Sequence, residues 1–540
     1  MKNQTYGVRM NQKTVHKWHL WVIPAIIAFA VALITTLKFQ WPLSWDIIIH
    51  VQYTMVYAKY GFVLTDPLLN APLGQKIGYP PLFHFLLLAL GMITRVDYFQ
   101  IARALQPFFA MFIVLSVSFV ARKFYGTIAG ISAGFLVISS FLLGRIMLPI
   151  PENLALIFLP LSIYFYYRSI KENLVKYALL SSILFIVMVS THIPASFIII
   201  LIITLLSLVE LIVYRNIRIF KFYGAFLLLP VCLVLLGMIY LLIFQPDIIT
   251  AIINEGISAA TGLATSIAYN KPLSVDGYLN IGIIVLIFGI TGIIFSLNRM
   301  YGKSLNKISR KDLFILIWIL SMFLLSISYY FGINIISYRL LVYLLIPLSI
   351  IGGFGLSQLY ERLKNSKNFS SDKFRVSLLV AVFSLSILSG VLAVEQSNFG
   401  IFKVTNEYGS LDIAPPSESM VDLANWFNTN GDKSKSILTN NLFTGTFLAT
   451  MSGMPIHYGF EYFNKNMSQA SLEEAKIGYL VLDKRLALNS HNDPFKLIYV
   501  KSEFYPLVYF SKPVSESLPE FLPDFVKVVY QNQDYIVCEI

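Results

Sequence analysis

Charged residues are scarce in this sequence of 540 amino acids. Asp, Glu, Lys and Arg make up only 13% of it, about half the share found in an ordinary soluble domain. Apolar runs of about 20 residues, long enough to cross the hydrocarbon core of a bilayer, recur along most of the chain. The scarcity of charge excludes a soluble globular protein and predicts a polytopic α-helical membrane protein.

Cysteine is equally rare, and several motifs of known chemistry are absent. The two cysteines are Cys232, in an apolar run, and Cys538, near the end of the sequence, so no disulfide framework is expected. There is no glycine-rich phosphate-binding loop, no His-Glu-x-x-His, no paired Cys-x-x-Cys and no Gly-x-Ser-x-Gly. The missing phosphate-binding loop argues against a cytosolic nucleotide substrate.

The net charge of +12 does not indicate nucleic-acid binding, because the basic residues form short clusters between apolar runs. Such clusters are typical of cytoplasmic loops. They occur at the N-terminus (Lys2, Arg9, Lys13, Lys17) and at 122–123, 168–176, 215–221, 299–311 and 362–375. They predict a multi-pass protein of the cell membrane with a cytoplasmic N-terminus. The first apolar run lacks a small-residue cleavage site, so we expect a retained helix.

The basic clusters separate about eleven predicted membrane spans. The predicted spans are 19–37, 103–121, 125–143, 153–167, 177–190, 195–214, 223–244, 277–297, 313–330, 339–358 and 376–394. One further apolar run, 81–94, begins at a Pro-Pro pair and is short for a span. If it crossed the bilayer, every later basic cluster would lie outside, so we expect an interfacial or re-entrant helix on the outer surface. A short extra span remains the alternative.

This topology predicts two domains. Residues 1–394 form the transmembrane domain, with a long first outer loop at 38–102. Residues 395–540 are richer in Asn, Ser, Asp, Glu and Pro and contain strand-like runs at 479–482 and 535–537. We therefore expect an extracytoplasmic α/β domain at the C-terminal end.

Ionisable side chains near the predicted outer ends of the spans are few, and each is costly there unless it is paired or used. Carboxylates, guanidinium groups and imidazoles all occur on this one side. The candidates are Asp46, His50, Lys76, Tyr79 and His84 in the first outer loop, Arg145 and Glu152 in the second, His192 in the third, and Arg339 at a late span.

Each candidate also has a structural interpretation. Arg339 could extend to lipid headgroups, and His192 could cap a helix or pack as a polar residue. Asp46 could cap an outer helix through residues 47–49, and Glu152 could cap the span that follows it. Asp66, before a proline, could form only a turn. The combination of carboxylates and cations on one side favours function.

The ordered motifs resemble the glycosyltransferase-C superfamily, which includes the catalytic subunit of archaeal oligosaccharyltransferase and protein mannosyltransferases. The resemblance covers most of the chain. It is carried by Asp46-Ile-Ile-Ile-His50, Gly61-Phe62, Asp66-Pro67, the 77–82 segment Ile-Gly-Tyr-Pro-Pro-Leu, Gly144-Arg145 with Glu152-Asn153, Tyr338-Arg339-Leu340, the glycine-rich 347–355 and the closing 529–540.

Two features depart from that family. The oligosaccharyltransferase signature Trp-Trp-Asp-Tyr-Gly is absent, and the nearest region in order, 437–445, does not contain it. The second outer loop offers one acid, Glu152, where the family usually supplies two metal ligands. The pattern is therefore more similar to protein mannosyltransferases and lipid-sugar transferases, which use a first-loop carboxylate without that signature.

The resemblance implies an inverting transfer of a sugar from a polyprenyl (dolichyl) phosphate or diphosphate to a protein or lipid-linked glycan. The leaving phosphate needs no protonating acid, so the reaction needs a base and cations. Asp46 is the expected base and Glu152 a second carboxylate. A divalent cation, Mg²⁺ or Mn²⁺, would use these same two residues. Arg339 is expected to bind the phosphate.

The remaining candidates are expected to help bind the substrate. These are Arg145, His192, Lys76, His50, His84 and Tyr79.

Two other functions of the protein stay open. A lipid or solute transporter is disfavoured because the spans are nearly free of charge and no internal repeat stands out. A scaffold that kept the fold and lost catalysis is compatible with the weakened motifs.

Overall fold

The computed structural model describes residues 19–244, 272–304, 307–333, 335, 337–364, 372–396, 401–463, 467–488, 495–501 and 505–540. The N-terminal basic cluster and most of the predicted outer segment 245–276 lie outside these described residues.

Helices dominate the N-terminal three quarters of the described chain. In chain order they are α1 (Ile23–Lys38), α2 (Asp46–Tyr60), α3 (Leu82–Thr94), α4 (Tyr98–Tyr125), α5 (Thr127–Ile138), α6 (Leu143–Ile146), α7 (Pro151–Glu172), α8 (Val175–Val189), α9 (Ile193–Ile212), α10 (Ile219–Phe244), α11 (Val275–Leu279), α12 (Ile283–Met300), α13 (Arg310–Ser326), α14 (Ser337–Lys364), α15 (Asp372–Glu395), α16 (Glu418–Asn430), α17 (Leu442–Ser452), α18 (Gln469–Glu474) and α19 (Val514–Phe521).

Strands occur in the first loop and in the C-terminal part. They are β1 (Thr65–Asp66), β2 (Gln75–Lys76), β3 (Phe402–Asn406), β4 (Gly409–Ala414), β5 (Ser436–Thr439), β6 (Ile456–His457), β7 (Ile477–Asp483), β8 (Leu497–Lys501), β9 (Pro506–Phe510), β10 (Lys527–Gln531) and β11 (Tyr535–Glu539).

Every predicted span coincides with a helix, so the prediction of a polytopic helical membrane protein is confirmed. Among the described residues, seven helices are long and apolar enough to cross a membrane. These are α1 with the short 3-10 turn before it, α4, α9, α10, α12, α14 and α15. The boundaries differ most at 277–297, where Gly282, with a φ of 102°, separates the short α11 from α12. A left-handed residue of this kind interrupts a helix, and glycine adopts that conformation at little cost.

The glycine-rich part of α14 is explained by close helix packing. A Cβ added to Gly292 of α12 would collide with the carbonyl oxygen of Ile351, and one added to Gly353 would collide with that of Ala129 in α5. A Cβ on Gly355 would come within 2.6 Å of the Gly292 backbone nitrogen. Small residues let helix backbones approach closely inside a membrane, so this run joins α5, α12 and α14.

The described chain divides into two compact units. The first unit contains Met1–Lys38 and Leu105–Phe399, and the second contains Phe39–Ala104 and Gly400–Ile540. The second unit thus combines the predicted first outer loop with the C-terminal tail. The domain boundary predicted at 394/395 instead assigns that loop to the transmembrane domain, and it stays a prediction.

The C-terminal part of the second unit has the expected α/β architecture. A five-stranded sheet has the order β10-β11-β7-β5-β6. The strand β5 pairs in parallel with β6 and β7, while β11 pairs antiparallel with β7, with Tyr535 opposite Asp483. The two predicted strand-like runs therefore form strands, β7 and β11, that pair with each other. The core of this α/β part includes the buried Leu438, Leu480 and Phe510.

The first loop joins this sheet through backbone hydrogen bonds. Ile456 of β6 donates its N–H to the carbonyl of Leu68 at 2.7 Å, and its own carbonyl accepts from Ala71 at 2.8 Å. Aromatic packing adds to these bonds, with the rings of Trp45 and Phe443 5.0 Å apart. The loop is thus an integral part of the second unit.

Candidate functional site

A short turn between α6 and α7 positions two of the predicted site residues. Ile150 is extended and Pro151 starts α7, a position where proline is favoured because its missing N–H has no partner in the helix anyway. The amide of Asn153 donates to the carbonyls of Arg145 and Leu148 at 2.7 and 2.9 Å. This amide closes the turn, so Arg145 is held beside the first turn of α7.

Arg145 and Glu152 form a close ion pair within the first unit. Nη2 of Arg145 lies 2.6 Å from Oε2 of Glu152, and the carboxylate side chain is only 5% exposed. Arg145 also lies over the ring of Tyr338, with its guanidinium carbon 5.7 Å from the ring centroid. The buried Nε of Arg145 has no hydrogen-bond partner among the described residues. One donor of this guanidinium is therefore available for a ligand.

His192 belongs to the same group of side chains. It is the N-cap residue of α9, and its Nδ1 accepts a hydrogen bond from the backbone N–H of Ala195 at 3.3 Å. The other ring nitrogen, Nε2, therefore carries the proton. Burial lowers the pKa of His192 to about 4, with Glu152 opposing this shift and two arginines adding to it. His192 is thus a neutral donor near pH 7, and its capping role holds it in place.

Arg339 and Tyr343 come from the first turns of α14. Arg339 interacts electrostatically with Glu152 and His192. Tyr343, one turn later, is buried near Glu152, and its hydroxyl makes no hydrogen bond among the described residues. Tyr343 was not among the predicted site residues. Its i+4 spacing from Arg339 is the signal that identifies it, because side chains four residues apart share one helix face.

Arg145, Glu152, His192, Arg339 and Tyr343 are called the arginine cluster below. Three helices, α7, α9 and α14, begin at it. Helix N-termini carry partial positive charge and unpaired N–H groups, so they favour anions. The cluster combines two guanidinium groups and a neutral imidazole with a single carboxylate. This arrangement suits a phosphate group.

The surroundings of Glu152 do not fit a divalent cation. Its Oε2 is engaged by the guanidinium of Arg145, and Arg339 lies nearby. Magnesium and manganese prefer several oxygen ligands and net negative charge. No group of three or more His, Cys, Asp or Glu side chains able to hold a metal occurs in the described part of the chain.

Asp46 lies in the second unit as the first residue of α2. Trp45 occupies the cap position, so Asp46 itself is not the cap, although the expected helix through residues 47–49 exists. The backbone N–H of Asp46 donates to the hydroxyl of Ser44 at 3.2 Å. The side chain is half-buried, and a carboxylate in the first turn of a helix is favoured by the helix dipole.

The two first-loop histidines form a buried pair in the second unit. His50 Nδ1 and His84 Nε2 are 3.1 Å apart, which links α2 to α3. The ring of Tyr79 lies edge-on to that of His50, with centroids 4.8 Å apart. Burial lowers the pKa of His84 to about 3. His84 is therefore neutral near pH 7, and the expected role of the pair in substrate binding stays a prediction.

Lys76 is exposed on β2. Asp66, by contrast, does more than form a turn. The carboxylate of Asp66 is fully buried and accepts hydrogen bonds from the amide of Gln52 at 2.9 Å and from the N–H of Leu68 at 2.8 Å. Burial raises the pKa of Asp66, and these hydrogen bonds oppose that shift. Asp66 therefore connects the hairpin of β1 and β2 to α2, a role that the turn pattern did not reveal.

The structure thus brings the predicted residues together in two groups. Arg145, Glu152, His192 and Arg339 converge in the first unit. His50, His84 and Tyr79 converge in the second unit, which also holds Asp46 and Lys76.

Solved structures show what this fold is similar to. No family model matches the sequence, and no curated protein matches it. The apo oligosaccharyltransferase of Archaeoglobus fulgidus aligns with 87% of this chain and 70% of its own, at a TM-score of 0.61 and 14% identity. ArnT from Cupriavidus metallidurans, bound to undecaprenyl phosphate, aligns over 96% and 98%, at 0.59 and 12%. The arabinofuranosyltransferase AftD from Mycobacteria aligns over 96% and 41%, at 0.58 and 13%.

These solved structures are glycosyltransferases of the C superfamily. The alignments cover nearly the whole of this chain. The chain therefore has the glycosyltransferase-C fold, with membrane helices and a C-terminal α/β part, as its motifs predicted.

Proposed function

We propose that the protein is a membrane glycosyltransferase. It moves a sugar from a polyprenyl (dolichyl) phosphate or diphosphate to a protein or lipid-linked glycan on the outer membrane face. The observation that carries this proposal is the arginine cluster, which presents two guanidinium groups and a neutral imidazole at the start of three helices. If the N-terminus is cytoplasmic, the arginine cluster lies at the outer side of the cell membrane.

The chemistry of such a donor matches what the cluster offers. The phosphate leaves as a stable anion, so stabilising its negative charge is the main requirement and no acid is needed. Arginine binds phosphate through its planar fork of N–H donors. Among structures of the same fold, AglB from Archaeoglobus fulgidus is known in complex with a dolichol-phosphate and an inhibitory peptide. ArnT is known with undecaprenyl phosphate. Both support a prenyl-phosphate ligand here.

Asp46 is the proposed base. It takes the proton of the acceptor's nucleophile as that nucleophile attacks the anomeric carbon and the carbon–oxygen bond to phosphate breaks. A single displacement of this kind inverts the configuration at that carbon. A positioned base contributes on the order of 10²–10⁴ in rate. Arg339 and Arg145 hold the departing phosphate. The scheme uses no divalent cation, because the arginines around Glu152 do not fit one.

Sugar transfer in reconstituted membranes tests the proposal. Purified protein is incubated with labelled polyprenyl-phosphate and polyprenyl-diphosphate sugars plus membrane extract as the source of acceptor. We expect transfer by the wild type, a loss of about 100-fold or more in Asp46→Asn, and full activity in EDTA. Full activity of Asp46→Asn would exclude it as the base. No transfer from any donor would favour the scaffold or the transporter.

A further inference from the structure

We infer that the donor sugar carries a free hydroxyl on the carbon next to its anomeric carbon, and that Glu152 and Tyr343 bind this hydroxyl together. The two side chains are then the specificity-determining residues of the arginine cluster. The inference rests on the proposed function and narrows the class of sugar that is transferred.

Three buried polar atoms of the arginine cluster make no hydrogen bond among the described residues. They are Nε of Arg145, Oε1 of Glu152 and the hydroxyl oxygen of Tyr343. A buried polar atom without a partner is costly, and native proteins keep few of them. Because these three atoms gather around one ion pair, we expect a ligand to supply the missing hydrogen bonds.

The three atoms differ in the hydrogen bonds that they can make. Nε of Arg145 only donates, the ionised Oε1 of Glu152 only accepts, and the hydroxyl of Tyr343 does both. The phosphate diester of a prenyl-phosphate sugar accepts hydrogen bonds and has no hydrogen to donate. The ligand must therefore combine an acceptor for Arg145, its phosphate, with a separate donor for Glu152.

A single hydroxyl group can serve both Glu152 and Tyr343. The hydroxyl of Tyr343 lies near the carboxylate of Glu152 without a hydrogen bond to it. A ligand hydroxyl between them donates its hydrogen to Oε1 and accepts a hydrogen from the phenol. An acetamido N–H or an ammonium group at the same position would donate to Glu152 but could not accept from Tyr343. A hydroxyl therefore fits this pair of side chains best.

The ion pair indicates which hydroxyl of the sugar is bound. Nη2 of Arg145 lies 2.6 Å from Oε2 of Glu152, so a phosphate on Arg145 and a hydroxyl on Glu152 are close neighbours. In a glycosyl phosphate the phosphate is attached to the anomeric carbon, C1. The ring oxygen on one side of C1 carries no hydrogen, and the nearest hydroxyl on the other side is that of C2. Glu152 and Tyr343 therefore select for a C2 hydroxyl.

Binding of prenyl phosphate sugars tests the inference without any acceptor. All probes have the same ten-carbon tail, and dissociation constants are measured with the full-length protein in nanodiscs. Prenyl methyl phosphate, which has no sugar, gives the reference. Prenyl phosphates of glucose, mannose, galactose and xylose, each as both anomers, identify a parent sugar that binds more tightly than this reference. Its 2-deoxy analogue should bind at least about tenfold more weakly than the parent, because a hydrogen bond to a carboxylate is lost.

Two variants assign the C2 hydroxyl to its partners. In Tyr343→Phe and in Glu152→Gln, the ratio of the dissociation constants of the 2-deoxy and parent sugars should fall at least about threefold. The 3-deoxy analogue is the matched control, because its ratio to the parent should be the same in all three proteins. Tyr343→Phe removes a hydroxyl without a described hydrogen bond, so it tests the inference even if Glu152→Gln fails to fold.

A second buried tyrosine of the same unit separates sugar recognition from packing. Tyr166 is also buried, but its hydroxyl is hydrogen-bonded to that of Ser207. Tyr166→Phe should lower the midpoint of thermal unfolding and leave every dissociation constant unchanged. Tyr343→Phe should leave the midpoint unchanged or raise it, because the variant removes a buried polar atom that has no partner.

The outcomes separate the two proposals. A wild type that binds neither prenyl methyl phosphate nor any sugar probe overturns the proposed function. A wild type that binds prenyl methyl phosphate, and no sugar probe more tightly, overturns the inference and leaves the proposed function standing. Equal affinities for the parent and 2-deoxy sugars, or a ratio that is unchanged in both variants, also overturn the inference.

Discussion

Two ion pairs of the same chemistry stand at opposite ends of α7. Arg145 pairs with Glu152 and Arg168 with Glu172, and both pairs have a closest approach of 2.6 Å. The Glu152 side chain is 5% exposed and the Glu172 side chain 35%. The two pairs therefore differ in electrostatic strength despite their equal distances, because solvent screens the exposed pair more than the pair with the buried Glu152 carboxylate.

The neighbours of the two pairs differ as well. Arg145 shares its surroundings with Arg339 and His192, at the start of three helices. Arg168 instead stacks on the ring of Tyr177, 4.1 Å from its centroid, within a predicted cytoplasmic cluster. An arginine near a carboxylate is a common surface feature. A second arginine beside the same buried carboxylate is the feature that indicates an anion site.

The largest difference between the two ends should follow removal of each arginine. Arg145→Met leaves the buried Glu152 without its partner, so we expect a loss of about 3 kcal/mol in stability, at the lower end for a buried pair because Arg145 is partly exposed. Binding of prenyl methyl phosphate should fall by about 100-fold. Arg168→Met should change neither quantity. Thermal unfolding in detergent measures the stability, and titration of the protein in nanodiscs with prenyl methyl phosphate measures the binding. Equal losses in Arg145→Met and Arg168→Met would show that burial does not distinguish the two ion pairs.

A pH series sharpens the comparison, because a buried histidine, His192, lies beside the Glu152 pair, and no histidine interacts with the Glu172 pair among the described residues. His192 has a folded pKa of about 4, against about 6.5 in the unfolded chain. Between these values the unfolded state binds a proton that the folded state lacks. Stability from this group is therefore complete above pH 6.5 and falls by roughly 2–3 kcal/mol as the pH decreases to 4.

The variant His192→Asn isolates this contribution. Asparagine is a good N-cap residue and does not titrate, so the variant should lose less stability than the wild type between pH 6.5 and 4. Comparing the two proteins at pH 7.5 measures any cost to the cap itself. Identical pH profiles for the two proteins would contradict a neutral, buried His192.

The smallest difference should come from the conservative exchange of arginine for lysine. Arg145→Lys keeps the charge beside Glu152 and loses the planar fork, so prenyl methyl phosphate should bind about tenfold more weakly while stability changes little. Arg168→Lys should leave binding unchanged. If Arg145→Lys binds the probe as tightly as the wild type, a point charge suffices and no bidentate contact is made.

Hydropathy predicted the helices well because the signal is local. A run of about 20 apolar residues needs no partner to identify it, and a helix was found at each predicted span. The run 81–94 does form a helix, α3 (Leu82–Thr94). Its interfacial or re-entrant position, inferred from the basic clusters and from its short length, stays a prediction. The boundary near 280 was missed because the left-handed conformation of Gly282 is a property of the folded backbone.

The site residues were predicted individually and less completely. Rarity of charge near helix ends selected Arg145, Glu152, His192 and Arg339, and these four do converge. Tyr343 was overlooked because it lies in an apolar run, and its i+4 spacing from Arg339 indicates a shared helix face without indicating a function. The role of Asp66 was underestimated for a related reason, since its partner Gln52 lies on another element.

The sequence by itself determined the class of protein, the helices and the kinds of side chain available for chemistry, because composition and periodicity are local properties. Only the tertiary structure decided which charges meet. It buried the Glu152 pair and exposed the Glu172 pair at the other end of the same helix. It also joined the first loop to the tail through the backbone of Ile456. Contacts between distant residues depend on how the whole chain packs, and no short stretch of sequence encodes them.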